Sequence, residues 1–220
     1  VGIIGSGFIG PAHIEALRRL GFVQVVALCD GSLVKAQEKA HLLNVPHAYG
    51  SVEELLAHPD LHVVHNCTPN HLHAEINRQI LRAGKHVFSE KPLGVTMEQC
   101  LQAEAAVARH PELVCMLGFM RRYDKSYAYA KEKITAGAIG TPYLVKSTGI
   151  DPEAVVEGAI RYSGTSGGIF LDSAIHDMDL MRWFLDSEAA EVYAMGCTFK
   201  HPDFKAAGDD ETGIAVYKFK

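Results

Sequence analysis

The first ten residues, VGIIGSGFIG (residues 1–10), are the strongest indication of the fold. A short β-rich run, Val1–Ile4, leads directly into a G-x-G-x-x-G sequence that opens a helix, the context in which this motif binds a dinucleotide. Its glycines serve a tight turn, a close backbone approach to a pyrophosphate, and close helix–strand packing, and the helix N-terminus favours the phosphate charge. An ordinary glycine turn is the alternative. The candidate cofactor contacts are Gly5, Gly7, Phe8, Ile9 and Gly10.

Asp30 supports the dinucleotide interpretation. It ends the second predicted strand, 20 residues beyond Gly10, where an acid hydrogen-bonds the adenosine ribose hydroxyls. A carboxylate there would repel a 2′-phosphate, and the first cation after it is Lys35, so the sequence favours NAD over NADP. The alternative role for Asp30 is a helix N-cap or a turn acid.

Strands and amphipathic helices alternate over residues 1–119, which predicts a parallel sheet with helices on both faces. Two capping boxes, Ser51 with Glu54 and Thr96 with Gln99, mark helix starts, and Gly84 marks a helix end. The predicted strands are Val1–Ile4, Val23–Asp30, Leu61–Asn66, His86–Ser89 and Val114–Gly118. We therefore expect an N-terminal Rossmann domain over residues 1–119.

Residues 120–220 follow a different pattern, with strands that are not separated by long crossover helices. This favours an α+β domain with a mostly antiparallel sheet. The predicted elements are a helix from Asp124 to Gly137, a strand at Tyr143–Gly149, a loop from Ile150 to Gly168, a helix from Leu171 to Phe184, and strands at Glu191–Phe199 and Thr212–Phe219.

Composition narrows the classes of partner. The 220 residues carry 21 Lys and Arg against 26 Asp and Glu, with interspersed signs, so no basic stripe is present for nucleic acid. The five cysteines show no C-x-x-C spacing, which argues against a zinc site and a disulfide framework and favours a reducing cytoplasm. No apolar run approaches the roughly 18 residues of a membrane span. We expect a cytoplasmic protein that binds neither nucleic acid nor membrane.

Two polar loops follow later strands of the predicted sheet, at the edge where open α/β sheets bind ligands. In residues 67–73, CTPNHLH, we expect Thr68, Pro69, Asn70 and His73 to line the cofactor cleft. Strand termination and helix capping are the alternative. His71 and His73 lack a third ligand at recognisable spacing, so no metal site is predicted.

Glu90-Lys91-Pro92 follows the next strand and places a lysine beside the expected nicotinamide. A lysine there could polarise the reacting oxygen or join a proton relay. Solvated surface is the alternative for a lysine in such a loop.

Asp172 and His176 stand four residues apart on a predicted helix, which places them on one face. A carboxylate that orients an imidazole is a recurrent acid–base device. Asp179 extends this face by a turn. A polar helix surface is the alternative, but the apolar flanks predict a largely buried helix, where polar groups need partners or a function.

Together these motifs resemble the glucose–fructose oxidoreductase/inositol dehydrogenase family, Gfo/Idh/MocA. The resemblance covers nearly the whole chain and includes two further segments, residues 118–124 (GFMRRYD) and 167–179 (GGIFLDSAIHDMD). It implies a Rossmann domain, a second α/β domain that covers the substrate and commonly mediates oligomerisation, and NAD as cofactor. Family members normally continue well beyond this length, so we expect a truncated chain whose second domain, residues 120–220, lacks part of its sheet.

The resemblance also implies roles for residues. Lys91, Asp172 and His176 would be catalytic: His176 takes the hydroxyl proton, Lys91 stabilises the oxyanion, and Asp172 orients them. Glu90 and Lys91 join the cofactor contacts. Arg121 and Tyr123, with Asp172 and His176, would bind a small polyol or sugar, and an inositol-like cyclic polyol is the first expectation. The protein would form a homodimer or homotetramer through the second-domain sheet.

Two other functions remain open on the sequence. Some relatives are glycosidases that oxidise their sugar transiently with tightly held NAD, so that net redox is zero. Others resemble nucleotide-sensing regulators that kept the fold and lost catalysis. Retention of Lys91, Asp172 and His176 argues against a sensor.

Overall fold

A computed structural model describes all residues, Val1–Lys220. The chain forms two compact units, Val1–Gly118 and Phe119–Lys220. None of its helices combines the length and the apolar run that crossing a membrane requires.

The first unit is built on a six-stranded parallel sheet in the order β3-β2-β1-β4-β5-β6. Its strands are β1 (Gly2–Ile4), β2 (Ala27–Cys29), β3 (His47–Tyr49), β4 (Val63–Asn66), β5 (His86–Ser89) and β6 (Cys115–Leu117). Its helices are α1 (Ile9–Arg19), α2 (Leu33–Leu42), α3 (Val52–Leu56), α4 (His73–Arg82) and α5 (Met97–Ala108). The order reverses direction between β1 and β4, and such a switch point is where doubly wound sheets bind ligands.

Successive side chains of the buried strands point to opposite faces of this sheet, so the unit has two cores. Ile3 and Leu28 pack with Ile14 of α1 on one face. Ile4 packs on the other face with Ile80 of α4. The alternating strands and helices predicted from sequence are thus confirmed as a Rossmann-type α/β fold.

Local signals fixed several helix ends as predicted. The Thr96 hydroxyl accepts a hydrogen bond from the Gln99 backbone N–H, and the Ser51 hydroxyl accepts one from that of Glu54. Gly84 follows α4 with a φ of +70°, a conformation that favours glycine. Strand β3 was missed, because its three residues follow Pro46 and carry no apolar alternation.

The second unit combines helices with a two-stranded antiparallel sheet, β7 (Ala189–Cys197) and β8 (Thr212–Phe219). Its helices are α6 (Lys125–Thr135), α7 (Val156–Ser166), α8 (Ile169–Asp172), α9 (Ile175–Leu185) and α10 (Asp203–Ala206). The predicted α+β class is confirmed.

Three sequence predictions for this unit were wrong. Residues 143–149 form no strand, since no neighbouring strand of the chain pairs with them. The predicted loop 150–168 contains helix α7. Gly167, with a φ of +89°, ends that helix, and Gly168, with a φ of +83°, directly precedes α8.

The third error is the single helix predicted from Leu171 to Phe184. It is divided into α8 and α9, because the Ile169 carbonyl accepts hydrogen bonds from both Ser173 and Ala174, each at 3.0 Å. The five-residue step to Ala174 widens the turn and interrupts the regular helix.

Candidate cofactor-binding and active site

The glycine loop after β1 has the shape that a dinucleotide requires. Gly5 has a φ of +102°, and a Cβ on it would clash with the Cys67 carbonyl. A Cβ on Gly10 would clash with the Gly5 carbonyl, whereas one on Gly7 would meet nothing within 4 Å. Gly5 and Gly10 are therefore required by the fold, and the open space at Gly7 lets a ligand approach the backbone.

Helix α1 begins beside this loop without a side-chain cap. Phe8 occupies the N-cap position and is almost fully exposed, and the first turn, which Ile9 opens, carries no acidic residue. The first N–H groups of a helix have no partner within it and favour an anion. This end of α1 fits a pyrophosphate.

Asp30 follows β2, and the glycine loop holds its carboxylate. One oxygen accepts hydrogen bonds from the Ser6 backbone N–H at 3.1 Å and the Ser6 hydroxyl at 2.5 Å, and the other accepts one from the Ser32 N–H at 3.2 Å. Burial alone would raise the pKa of Asp30, but these hydrogen bonds and the charge of Lys35 lower it overall. Asp30 is therefore an ionised acceptor fixed beside the loop, which fits ribose hydroxyls.

The loop after β4 is organised by Asn66, which is completely buried. Its side-chain oxygen accepts hydrogen bonds from the Thr68 N–H at 3.3 Å and the Thr68 hydroxyl at 2.6 Å. Its amide donates to the His73 carbonyl at 3.2 Å and to the Asn77 side chain at 2.8 Å. Asn66 thus fixes the start of the loop that contains Pro69 and Asn70.

His73 links this loop to the one after β5. Its side chain is 1% exposed, and its ring nitrogens lie 2.7 Å from the Thr68 and Pro92 carbonyl oxygens. Burial lowers the pKa of His73, although both carbonyls and the Glu90 charge oppose that shift. The ring is thus occupied by backbone groups, so any effect of His73 on a cofactor is exerted through the two loops that it joins.

Glu90 and Lys91 begin the loop after β5. The Glu90 N–H donates to the Asn66 carbonyl at 2.9 Å, which ties this loop to β4. The Glu90 carboxylate lies 2.8 Å from His13 Nε2 of α1. Burial would raise the pKa of Glu90, but the hydrogen bond and charge of His13, together with Lys91, lower it. Lys91 therefore adjoins an ionised, anchored carboxylate.

In the second unit, two arginines pair with the acidic side chains of α9. Arg122 donates two hydrogen bonds to Asp179, at 2.8 and 2.7 Å, and its guanidinium lies 5.7 Å from the Trp183 ring centroid. Arg121 forms an ion pair with Asp177, which also accepts a hydrogen bond from the Ser147 hydroxyl. Asp179 is 4% exposed, and Arg122 is the cationic partner that its buried carboxylate requires. The sequence alone did not identify this partner.

The predicted catalytic pair lies on either side of the helix interruption. Asp172 ends α8, and His176 lies in the first turn of α9. The prediction that both residues share one continuous helical face is therefore wrong. Both side chains are half-buried, and the His176 ring meets the Phe119 ring edge-on at 6.4 Å between centroids. Tyr123 is exposed. Substrate contacts by Arg121 and Tyr123 remain predictions.

Sequence reasoning missed four residues of this region: Ser6, His13, His65 and Asn66. For Ser6 and Asn66 a signal was available, since one lies inside the glycine motif and the other ends a strand before a polar loop. His13 and His65 stand 52 residues apart in the sequence, and their meeting depends on how α1 packs on the sheet.

These features are those of a Rossmann-type dinucleotide-binding domain. The chain belongs to the Gfo/Idh/MocA family: residues 1–119 match its oxidoreductase domain with NAD-binding Rossmann fold, and residues 127–220 match its C-terminal domain. The expected cofactor, NAD, is confirmed for this family.

Named relatives resemble the chain over its whole length. The myo-inositol 2-dehydrogenase of Thermotoga maritima is 32% identical over 220 residues, which cover 100% of this chain and 65% of the relative. The crystal structure of myo-inositol 2-dehydrogenase from Lactobacillus plantarum has a TM-score of 0.94 and 32% identity, and it aligns with 100% of this chain and 66% of its own.

A third relative was solved with ligands. Scyllo-inositol dehydrogenase from Lactobacillus casei, with bound NAD(H) and scyllo-inositol, has a TM-score of 0.89 and 34% identity over 100% of this chain and 65% of its own. The chain thus spans slightly less than two thirds of the length of these relatives.

Proposed function

We propose that this chain belongs to an NAD-dependent dehydrogenase that transfers hydride between a secondary alcohol of a cyclic polyol, an inositol, and nicotinamide. The observation that carries the proposal is the arrangement of three loops of the first unit. Hydrogen bonds join these segments: the Asn66 backbone carbonyl accepts from the Glu90 N–H, which ties β4 to the loop after β5, and the His13 side chain ties α1, which follows the loop after β1, to Glu90. Lys91 is therefore held on the half of the sheet that takes the nicotinamide end of a dinucleotide.

The geometry of each group suggests which part of the cofactor it binds. The bare backbone at Gly7 and the uncapped start of α1 receive the pyrophosphate. Asp30 accepts hydrogen bonds from the adenosine ribose and disfavours a 2′-phosphate. Bound NAD supplies the hydride acceptor.

The catalytic roles come from the family resemblance and the chemistry of the side chains. His176 accepts the proton of the substrate hydroxyl as its C–H bond is oxidised, and Asp172 orients it. The Lys91 ammonium stabilises the negative charge that develops on the reacting oxygen. Neither role requires a metal ion.

The choice of an inositol is supported by the relatives. Those from Thermotoga maritima and Lactobacillus plantarum bear the name of myo-inositol 2-dehydrogenase, and the Lactobacillus casei structure contains scyllo-inositol. Each of them matches both units of this chain, including the segment with Asp172 and His176.

The direct test is to mix the full-length protein with NAD and a panel of inositols and aldoses and to follow NADH absorbance. We expect NADH to form with one or a few inositols and not with the aldoses. If NAD binds by calorimetry but no polyol yields NADH, the proposal fails and a redox-neutral glycosidase or a sensor takes its place.

We further propose that the protein assembles through its second unit. The exposed face of the β7–β8 sheet carries the directly opposed pairs Tyr193–Val216 and Met195–Ile214, all of them between 57% and 69% exposed. The other face packs on α8 and α9 through Gly213 and Tyr217. An apolar sheet face of this kind marks an interaction surface, and a second copy of the chain would cover it.

A further inference from the structure

Three titratable side chains of the first unit form a hydrogen-bonded chain beside Lys91. Glu90 Oε1 lies 2.8 Å from His13 Nε2, and His13 Nδ1 lies 2.9 Å from His65 Nδ1. These three residues come from α1, β4 and the loop after β5, so their hydrogen bonds run across the sheet edge at which the ligand loops lie. His13 enters the account above only as the anchor of Glu90, and His65 has no role in it.

The surroundings keep water away from these groups. The exposed fractions are 14% for the His13 side chain, 20% for that of Glu90 and 9% for His65. The Phe88 ring stacks on the His65 ring at 4.7 Å and meets the His13 ring edge-on at 5.5 Å. Little water is available to replace these hydrogen bonds. Each donor among the three side chains must therefore face an acceptor among them.

Burial and nearby charges set the protonation states of His65 and Glu90, the two outer members of this hydrogen-bonded group. Burial lowers the pKa of His65 to about 4, with His13 adding to the shift and Glu90 opposing it. The Glu90 pKa is lowered overall despite burial, by His13 and Lys91. The other titratable neighbour, Cys67, has its pKa raised by burial and by Glu90, so it stays a neutral thiol. At neutral pH one end is therefore a carboxylate and the other a neutral imidazole.

Two arrangements of protons satisfy every hydrogen bond. In the first, neutral His13 donates from Nε2 to Glu90 and accepts at Nδ1 from His65 Nδ1–H. In the second, a proton binds His65 Nε2, the His65 Nδ1 proton passes to His13 Nδ1, and His13 becomes an imidazolium that donates to both neighbours. Two N–H bonds form and one breaks, for a net gain of one proton. No heavy atom has to move.

We propose that His13 is a positioning residue that also stores one proton for the active site, with Glu90 as its counterion and His65 as its proton donor and acceptor. Its role in turnover rests on the function proposed above. A proton on His13 cancels the Glu90 charge that Lys91 faces. Since a nicotinamide cation disfavours a nearby proton and the neutral reduced ring does not, the stored proton favours the reduced cofactor.

The experiment measures proton exchange in the full-length protein without turnover. Binding of NAD and of NADH is followed by calorimetry at neutral pH in two buffers with different ionisation enthalpies. We expect NADH binding to take up more protons than NAD binding. In His13→Gln, whose amide can still donate to Glu90 but cannot hold the proton, that difference should vanish while NAD affinity stays within about twofold. His58→Gln is the matched control, because His58 makes a 2.9 Å hydrogen bond to Tyr49 near the far edge of the same sheet.

A proton difference that persists in His13→Gln, or one that is absent from the unmodified protein, overturns the proposal. A second measurement tests the proposal even if the His13→Gln variant does not fold. It follows the histidine ring nitrogens of the unmodified protein by NMR through a pH titration. We expect the His65 proton to move from Nδ1 to Nε2 as His13 becomes charged, and independent titration of the two rings would refute the relay. Neither measurement requires oxidation of an inositol. A failure of the proposed function, seen as no NADH formation, is therefore distinguished from a failure of this proposal.

Discussion

At the scale of single residues, we propose that Asp30 determines most of the cofactor selectivity. Ser6 and Ser32 fix its carboxylate by hydrogen bonds, and its lowered pKa keeps it ionised. It can therefore recognise ribose hydroxyls and reject a phosphate without moving. A fixed acceptor of this kind loses little conformational entropy on binding.

Asp30→Ala should weaken NAD binding. Hydrogen bonds to a charged group contribute about 1.5–3 kcal/mol, which corresponds to a rise in Kd of roughly 10- to 100-fold. The preference for NAD over NADP should narrow as well, because the repelling carboxylate is lost. Calorimetric titration with both cofactors measures this, with the exposed Asp60→Ala as the control. An unchanged Kd for NAD would show that Asp30 does not contact the ribose.

The residues that could be predicted from sequence are those whose role depends on local spacing. Gly5, Gly10 and Asp30 belong to a single βαβ unit, so their positions follow from the motif. His13 and His65 are 52 residues apart and meet only once α1 packs on β4. The contact of His73 with Pro92, 19 residues further along the chain, could not be predicted from sequence for the same reason.

At the scale of secondary-structure elements, the first unit was predicted well because its signals are local. Strand β5 and the starts of α3 and α5 came from apolar runs and capping residues. In the second unit, glycines misled the prediction at α7, where they end a helix instead of forming a loop. The interruption between α8 and α9 depends on two N–H groups sharing one carbonyl, for which residue types give no signal.

The predicted strand at residues 143–149 illustrates a different limit. Its composition favours a strand, yet Tyr143 and Leu144 are largely exposed and no other strand pairs with them. A strand is stable only when a neighbour accepts and donates its backbone hydrogen bonds. Sequence pattern identifies a segment that can pair, but only the fold supplies the partner.

At the scale of the whole molecule, the exposed face of β7–β8 leads to a prediction about assembly. In the full-length protein, Ile214→Glu should reduce the homo-oligomer to smaller species, because a carboxylate at a buried contact loses its hydration. Analytical ultracentrifugation measures the change, and Lys218→Glu, at the edge of the same face, is the control for a change in charge. An unmodified protein that sediments as a monomer would contradict the proposed assembly.

The central claim, oxidation of a cyclic polyol by direct hydride transfer to NAD, is tested most directly with an inositol that carries deuterium on every ring carbon. After reaction with the full-length protein and NAD, mass spectrometry of the reduced nicotinamide cofactor shows where the transferred hydrogen came from. The account predicts one deuterium on the reduced cofactor for each ketone formed. Reduced cofactor without deuterium, or a product that forms with no net reduction of NAD, would contradict it.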